Sequence, residues 1–265
     1  AVLDGLQGAG GWLGNSERMI RDLFGIGGDG AAISIELTAF TDGAGGTAAG
    51  DTLVGVENLF GSVFNDSLYG STADNSIRGG LGNDLIDAGN GDDTLNGGAG
   101  RDTLYGGQGM DYLDYSDSNA AVSINLGAGT ASGGHATGDV LAGVDGIFGS
   151  AFDDTLIGFD NQGLVGDVYT NVFYGGAGND YMDGGAGNDI LHGDEGNDTV
   201  IGGAGDDRIV SGQGHDAIAG EEGRDTLVLS GAPSDYTLTA EGQGYRLTAD
   251  GRGFHPRTPR VFSPR

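Results

Sequence analysis

Several residue types and sequence features are absent or rare in this chain, and each absence excludes a class of structure. It has no cysteine, which excludes disulfide bonds and thiolate metal sites, so any bound metal would have to be held by oxygen. It has no lysine, since all 11 basic residues are arginine, and only 4 prolines. No run of 18 apolar residues predicts a transmembrane helix, and the start, AVLDGLQGAGG, does not resemble a secretory signal peptide. Without an initiating Met, we expect a mature product or a piece of a longer protein.

The composition is acidic and rich in glycine. The 39 acidic residues outweigh the 11 basic ones and give a formal charge of -28, which makes nucleic acid and anionic membranes poor partners. The 58 glycines do not recur at every third position, so collagen is excluded, and 37% hydrophobic residues argue against a single large core. Such a chain is expected to be disordered unless cations neutralise it when folded.

The sequence repeats with a period of nine residues in two arrays. Well-formed units run from residue 79 to 114 and from 175 to 228, for example GGLGNDLID and GGAGNDYMD. Degenerate units begin at Gly61, Gly70, Gly149 and Gly166, and an insertion occupies residues 158–165. So regular a period predicts a solenoid rather than a string of independent turns.

Two positions of each unit are constant in character. The sixth is always aspartate: Asp84, Asp93, Asp102, Asp111, Asp180, Asp189, Asp198, Asp207, Asp216 and Asp225. The eighth is always apolar, from Ile86 to Leu227, whereas the fifth varies, and we expect it to be unconstrained. We therefore predict a six-residue loop followed by a three-residue strand with one inward side chain, two units closing each turn.

A longer similarity and the chain ends complete the domain plan. AAISIEL from Ala31 recurs as AAVSINL from Ala120, so residues 31–60 and the spacer 115–148 are predicted to add irregular strands to the arrays 61–114 and 149–228. A capping signal at Asn15 and Ser16 predicts a short helix within an N-terminal cap, 1–30. Residues 229–251 are predicted to form a β-hairpin cap and 252–265 a disordered tail.

This spacing suits calcium. Glycine-rich loops let carbonyl oxygens face one point, the aspartate adds a carboxylate, and calcium takes six to eight oxygen ligands. Loops stacked about 4.8 Å apart would place carboxylates that repel by roughly 3 kcal/mol at an effective dielectric near 20. We therefore expect metal binding and folding to be one event.

The units match GGxGxDxUx and so resemble the RTX (repeats-in-toxin) nonapeptide family, the haemolysin-type calcium-binding region. The resemblance implies an all-β, right-handed parallel β-roll that binds several Ca²⁺ ions, is secreted by a type I system and folds outside the cell. Calcium would lie between loops of alternate repeats, held by the sixth-position aspartates and by loop carbonyls. The implied pairs are Asp84 with Asp102, Asp93 with Asp111, Asp180 with Asp198, Asp189 with Asp207, Asp198 with Asp216, and Asp207 with Asp225. The carbonyls include those of the fourth-position glycines: Gly82, Gly91, Gly100, Gly109, Gly178, Gly187, Gly196, Gly205, Gly214 and Gly223.

Departures from the motif and alternative functions also follow from the sequence. Asn75 and Asn171 replace the sixth-position aspartate, so their loops are expected to stack without a full site. No HExxH or GxSxG motif occurs, and we predict no enzyme activity; the alternative is the non-catalytic C-terminal part of a secreted protease, lipase or epimerase. A cell-surface or polysaccharide ligand is a further alternative, because Trp12 and tyrosines 69, 105 and 174 could form a sugar-binding face.

Overall fold

The structure is a computed structural model that describes residues 34–36, 56–159, 170–229, 236–241 and 244–249. Side-chain environments are described within 56–159 and 170–229. In these parts of the chain, no helix has the length and apolar character needed to cross a bilayer.

Short β-strands make up most of the described chain. They are β1 (Ser34–Glu36), β2 (Asn58–Phe60), β3 (Ser67–Ser71), β4 (Ser76–Leu81), β5 (Leu85–Asn90), β6 (Thr94–Ala99), β7 (Thr103–Gln108), β8 (Tyr112–Asp114), β9 (Ser123–Asn125), β10 (Thr130–Ser132), β11 (Val140–Ala142), β12 (Gly146–Phe148), β13 (Thr155–Phe159), β14 (Val172–Tyr174), β15 (Tyr181–Gly185), β16 (Ile190–His192), β17 (Thr199–Ala204), β18 (Arg208–Val210), β19 (Ala217–Glu222), β20 (Thr226–Val228), β21 (Tyr236–Glu241) and β22 (Gly244–Ala249). Several strands exceed the predicted three residues, because the first loop residues continue the ladder, as Gly89 pairs with Gly107.

Two largely parallel sheets form the solenoid. The larger sheet has the order β1-β3-β5-β7-β11-β10-β9-β13-β15-β17-β19, and the smaller has the order β2-β4-β6-β8-β12-β14-β16-β18-β20. Within the arrays each strand pairs with the strand two units away, as Ile86 with Leu104 and Ile77 with Leu95. Two nonapeptide units therefore close one turn, and the predicted parallel β-roll is confirmed.

The core is a double column of inward side chains between the sheets. The eighth-position residues Ile86, Leu95, Leu104, Leu113, Met182, Leu191, Val200 and Ile209 are all at most 1% exposed. Ile218 and Leu227, in the last two units, pack against the core but are only partly buried. Each strand of the well-formed units except the last two thus buries one large apolar side chain, as its alternation predicts.

The spacer continues the same two sheets with a different local geometry. β11 pairs with β7, β9 with β13, and β12 bridges β8 and β14, all in parallel. β10 is antiparallel to both β9 and β11, which inserts a hairpin into the parallel sheet. A 3-10 turn, Gly134–Ala136, precedes β11. Residues such as Tyr115, Val122 and Ile124 give the spacer several core side chains of its own.

The ends match the prediction in part. β21 and β22 form the predicted antiparallel hairpin, in which Leu238 pairs with Leu247.

The insertion in the second array starts later than the expected residue 158. Gly158 and Phe159 belong to β13, where Phe159 pairs with Gly185. The N-terminal helix near Asn15, the remainder of the insertion and the tail 252–265 lie outside the described residues.

Candidate metal centre

The ten loops of well-formed units all have a positive φ at their second residue, between 64° and 123°. These second residues are Gly80, Gly89, Gly98, Gly107, Gly176, Gly185, Gly203, Gly212, Asp194 and Glu221. In Asp194 and Glu221 the φ values are 64° and 70°, so the loop imposes this conformation even on residues that have a β-carbon. The fourth-position glycines stack in the same way, since a β-carbon on Gly196 would collide with the carbonyl oxygen of Gly178. The loops are therefore repeated copies of one turn.

The sixth-position aspartates form a ladder along each edge of the roll. The Asp84 amide donates to Asp102 Oδ1 over 2.9 Å, and the Asp93 amide donates to Asp111 Oδ1 over 2.9 Å. The same bond joins Asp180 to Asp198, Asp189 to Asp207, Asp198 to Asp216, and Asp207 to Asp225, over 2.8 to 3.2 Å. The structure thus brings together all six pairs that the resemblance implies.

The second carboxylate oxygen decides whether the loops fit a metal. Oδ2 is buried and has no hydrogen-bond partner in Asp84, Asp93, Asp102, Asp111, Asp180, Asp189, Asp198 and Asp207. Orphaned acceptors of this kind are costly in a folded protein, and an ionised carboxylate needs a cation or a donor. Among the described residues no three Asp, Glu, His or Cys side chains form a metal cluster. The backbone carbonyls of the glycine-rich loops are the other oxygens that these loops offer. An all-oxygen set of this type fits Ca²⁺.

Burial makes these carboxylates poor anions without a cation. Desolvation, opposed by the amide hydrogen bond and assisted by neighbouring carboxylates, raises the pKa of Asp198 to about 7. For the same leading cause the pKa of Asp84 rises to about 7 and that of Asp102 to about 6. A nearby divalent cation would reverse this effect, because it favours the ionised form.

Comparison with known proteins agrees with this geometry. The model of the RTX calcium-binding nonapeptide repeat matches residues 51–86, 60–95, 87–119, 165–200 and 192–227, and thus both arrays. The chain belongs to the RTX nonapeptide-repeat family. RTX repeats bind Ca²⁺ at several sites, are typically non-catalytic structural regions and are typical of secreted proteins. No curated protein matches the chain significantly.

Two aspartates of the spacer extend the RTX ladder and were not predicted. The Asp102 amide donates to Asp139 Oδ1 over 2.8 Å, and the Asp111 amide donates to Asp145 Oδ2 over 3.0 Å. Asp139 also accepts a hydrogen bond from the Tyr115 hydroxyl over 2.8 Å. The available signal was an aspartate two residues before a buried apolar residue, as in Asp139-Val140-Leu141.

The interpretation of the fifth RTX position as unconstrained was wrong. A second ladder runs there in the opposite direction, since Asn179 Oδ1 accepts from the Asn197 amide and Asn197 Oδ1 from the His215 amide, over 2.9 and 2.8 Å. Each run of this ladder ends at a residue whose amide donates to the last side-chain acceptor and whose own side chain does not accept in turn. These residues are Arg101, Met110, His215 and Arg224. These residues leave the motif intact because each donates its own amide to the preceding acceptor, and the Arg224 guanidinium also donates to Asp206 Oδ2 over 2.9 Å.

The tyrosines proposed as a sugar-binding face do not share one face. Tyr69 in β3 and Tyr105 in β7 lie in the larger sheet, whereas Tyr174 in β14 lies in the smaller one. The Tyr174 ring stacks between Phe148 and His192, with centroid separations of 4.9 and 4.6 Å. Both faces of this ring are therefore covered, and Trp12 lies outside the described residues. The polysaccharide ligand stays a prediction.

Proposed function

We propose that the chain is a calcium-driven structural module of a secreted protein, in which the two arrays fold as they bind calcium. The ions are held between alternate loops by the six aspartate pairs, with loop carbonyls that include those of the fourth-position glycines. One observation carries the proposal: eight sixth-position aspartates have a buried Oδ2 without a hydrogen-bond partner. No donor within the described residues takes the place that a cation would fill.

Coupling to folding rests on the balance between charge and core. Each fully buried eighth-position side chain contributes about 1.5 to 3 kcal/mol. Against this, each turn must order two glycine-rich loops and bring together carboxylates whose pKa values are raised by burial. Calcium removes the electrostatic cost without changing the packing. The biological role of such a module is structural, adhesive or secretion-assisting, outside the cell.

The test combines circular dichroism with a matched pair of substitutions. We expect a mostly unordered spectrum in chelator and a β-rich one in millimolar calcium, because the ladder closes only with cations. Asp198→Asn should weaken the calcium response more than Asp66→Asn. Asp198 belongs to two pairs, whereas Asp66 Oδ2 already accepts a hydrogen bond from the Ser62 amide. The proposal is wrong if the protein is fully folded in chelator and calorimetry detects no calcium binding.

A further inference from the structure

The degenerate unit that opens each array contains a different loop. In residues 61–66, Asp66 Oδ2 accepts from the Ser62 amide over 2.5 Å, and Asp66 Oδ1 accepts from the Ser62 hydroxyl over 3.0 Å. In residues 149–154, Asp154 accepts from the Ser150 amide and hydroxyl over 2.5 and 2.7 Å. These aspartates are therefore bonded within their own loops, unlike the eight with an orphaned Oδ2.

The backbone explains the contrast. The second residue has a positive φ in all ten loops of well-formed units, but Ser62 and Ser150 are not among the described non-glycine residues with positive φ. The serine hydroxyls also accept from the amides of Phe64 and Phe152, each over 3.2 Å, which closes a serine turn. The serine conformation aims the amide at the carboxylate, whereas Oδ2 is buried and unpaired in eight of the ten loops with a positive φ.

These two loops are nevertheless stacked like calcium loops. The Asp66 amide donates to Asp84 Oδ1 and the Asp154 amide to Asp180 Oδ1, each over 2.8 Å. Both pairs thus present two carboxylates in the ladder arrangement. They differ from the six calcium pairs only in the loop that carries Asp66 or Asp154, where serine is the second residue. We propose that the second loop residue selects which loops take calcium: a positive-φ residue opens the site, and serine closes it with its own hydrogen bonds. This inference rests on the proposed function.

It follows that the pairs Asp66 with Asp84 and Asp154 with Asp180 are latent calcium sites. Ser150→Gly combined with Phe152→Gly turns GSAFDD into GGAGDD, the six residues found at 202–207. Ser71→Gly combined with Ala73→Gly is the matched control, because that loop ends in Asn75 and has no carboxylate to release. Bound calcium per chain is counted by equilibrium dialysis with radioactive calcium, and circular dichroism in saturating calcium confirms the fold.

We expect the Ser150/Phe152 variant to bind one more calcium ion than the unmodified chain and the Ser71/Ala73 variant to bind the same number. If the first variant does not fold, Ser62→Gly with Phe64→Gly tests the same claim in the first array. An unchanged count in a folded variant, beside an unmodified chain that binds calcium, overturns the inference alone. An unmodified chain that binds no calcium overturns the proposed function instead.

Discussion

Acid should replace calcium in holding the roll together. Burial, as the leading cause, raises the pKa of Asp84, Asp111, Asp189 and Asp198 from 3.8 to about 7. One pKa unit corresponds to about 1.4 kcal/mol, so each of these groups destabilises the metal-free fold at neutral pH by roughly 4 kcal/mol. Part of each pKa shift comes from repulsion between neighbouring carboxylates, which is counted once for each partner. The total destabilisation is therefore smaller than four times this value. Even half of it is comparable to the 5 to 15 kcal/mol that stabilises a typical domain.

The sign of the pH dependence follows from the raised pKa values. Below the unfolded pKa of 3.8 both states are protonated and the ladder carries no electrostatic cost. As pH rises towards the folded pKa of about 7, the unfolded chain ionises first and is favoured increasingly. The metal-free arrays should therefore be most stable in acid and should lose stability progressively as pH rises from 3.8 to the folded pKa values of about 6 for Asp102 and about 7 for Asp198.

The assay is circular dichroism in excess chelator between pH 5 and 8. This whole range lies above the sequence isoelectric point of about 4.1. We expect β-rich signal to increase towards pH 5 and to be small at pH 8. The control is the calcium-loaded protein, which should show the opposite trend because protons compete with the cation. Equal signals at pH 5 and pH 8 in chelator would refute the electrostatic reasoning.

Two further substitutions test contacts outside the calcium pairs, each by denaturant unfolding in calcium. Asn197→Ala should cost about 1 kcal/mol, because the His215 amide loses its acceptor, whereas His215→Ala should cost less; equal costs would contradict a fifth-position ladder. Tyr115→Phe should cost about 1 to 3 kcal/mol, because buried Asp139 loses its hydroxyl donor, and Tyr105→Phe, on an exposed ring, should be nearly neutral. A Tyr115→Phe variant as stable as Tyr105→Phe would contradict that role.

The repeat explains why so much of the site could be predicted. Aspartate at the sixth position and an apolar residue at the eighth recur with one period, so a single local conformation, applied to every unit, also sets the stacking. Asp84 lies beside Asp102 because two units make one turn, and Ile86 is buried because its strand alternates. These relations need only the period and the alternation of strand side chains.

The remaining features depend on contacts between parts of the chain that do not share a period. Asp139 and Asp145 complete the ladder only because β11 and β12 fall into register with β7 and β8, which a spacer of irregular length does not reveal. Whether the aspartate carboxylate is bonded by the serine of its own loop or keeps an unpaired Oδ2 depends on the φ of one loop residue. The sequence by itself determined the solenoid and its core column, because these follow from local periodicity, and its resemblance to the RTX family implied the six carboxylate pairs. Only the tertiary structure decided which carboxylates are satisfied within the protein, because neither the register of the spacer strands nor the φ of individual loop residues follows from the period.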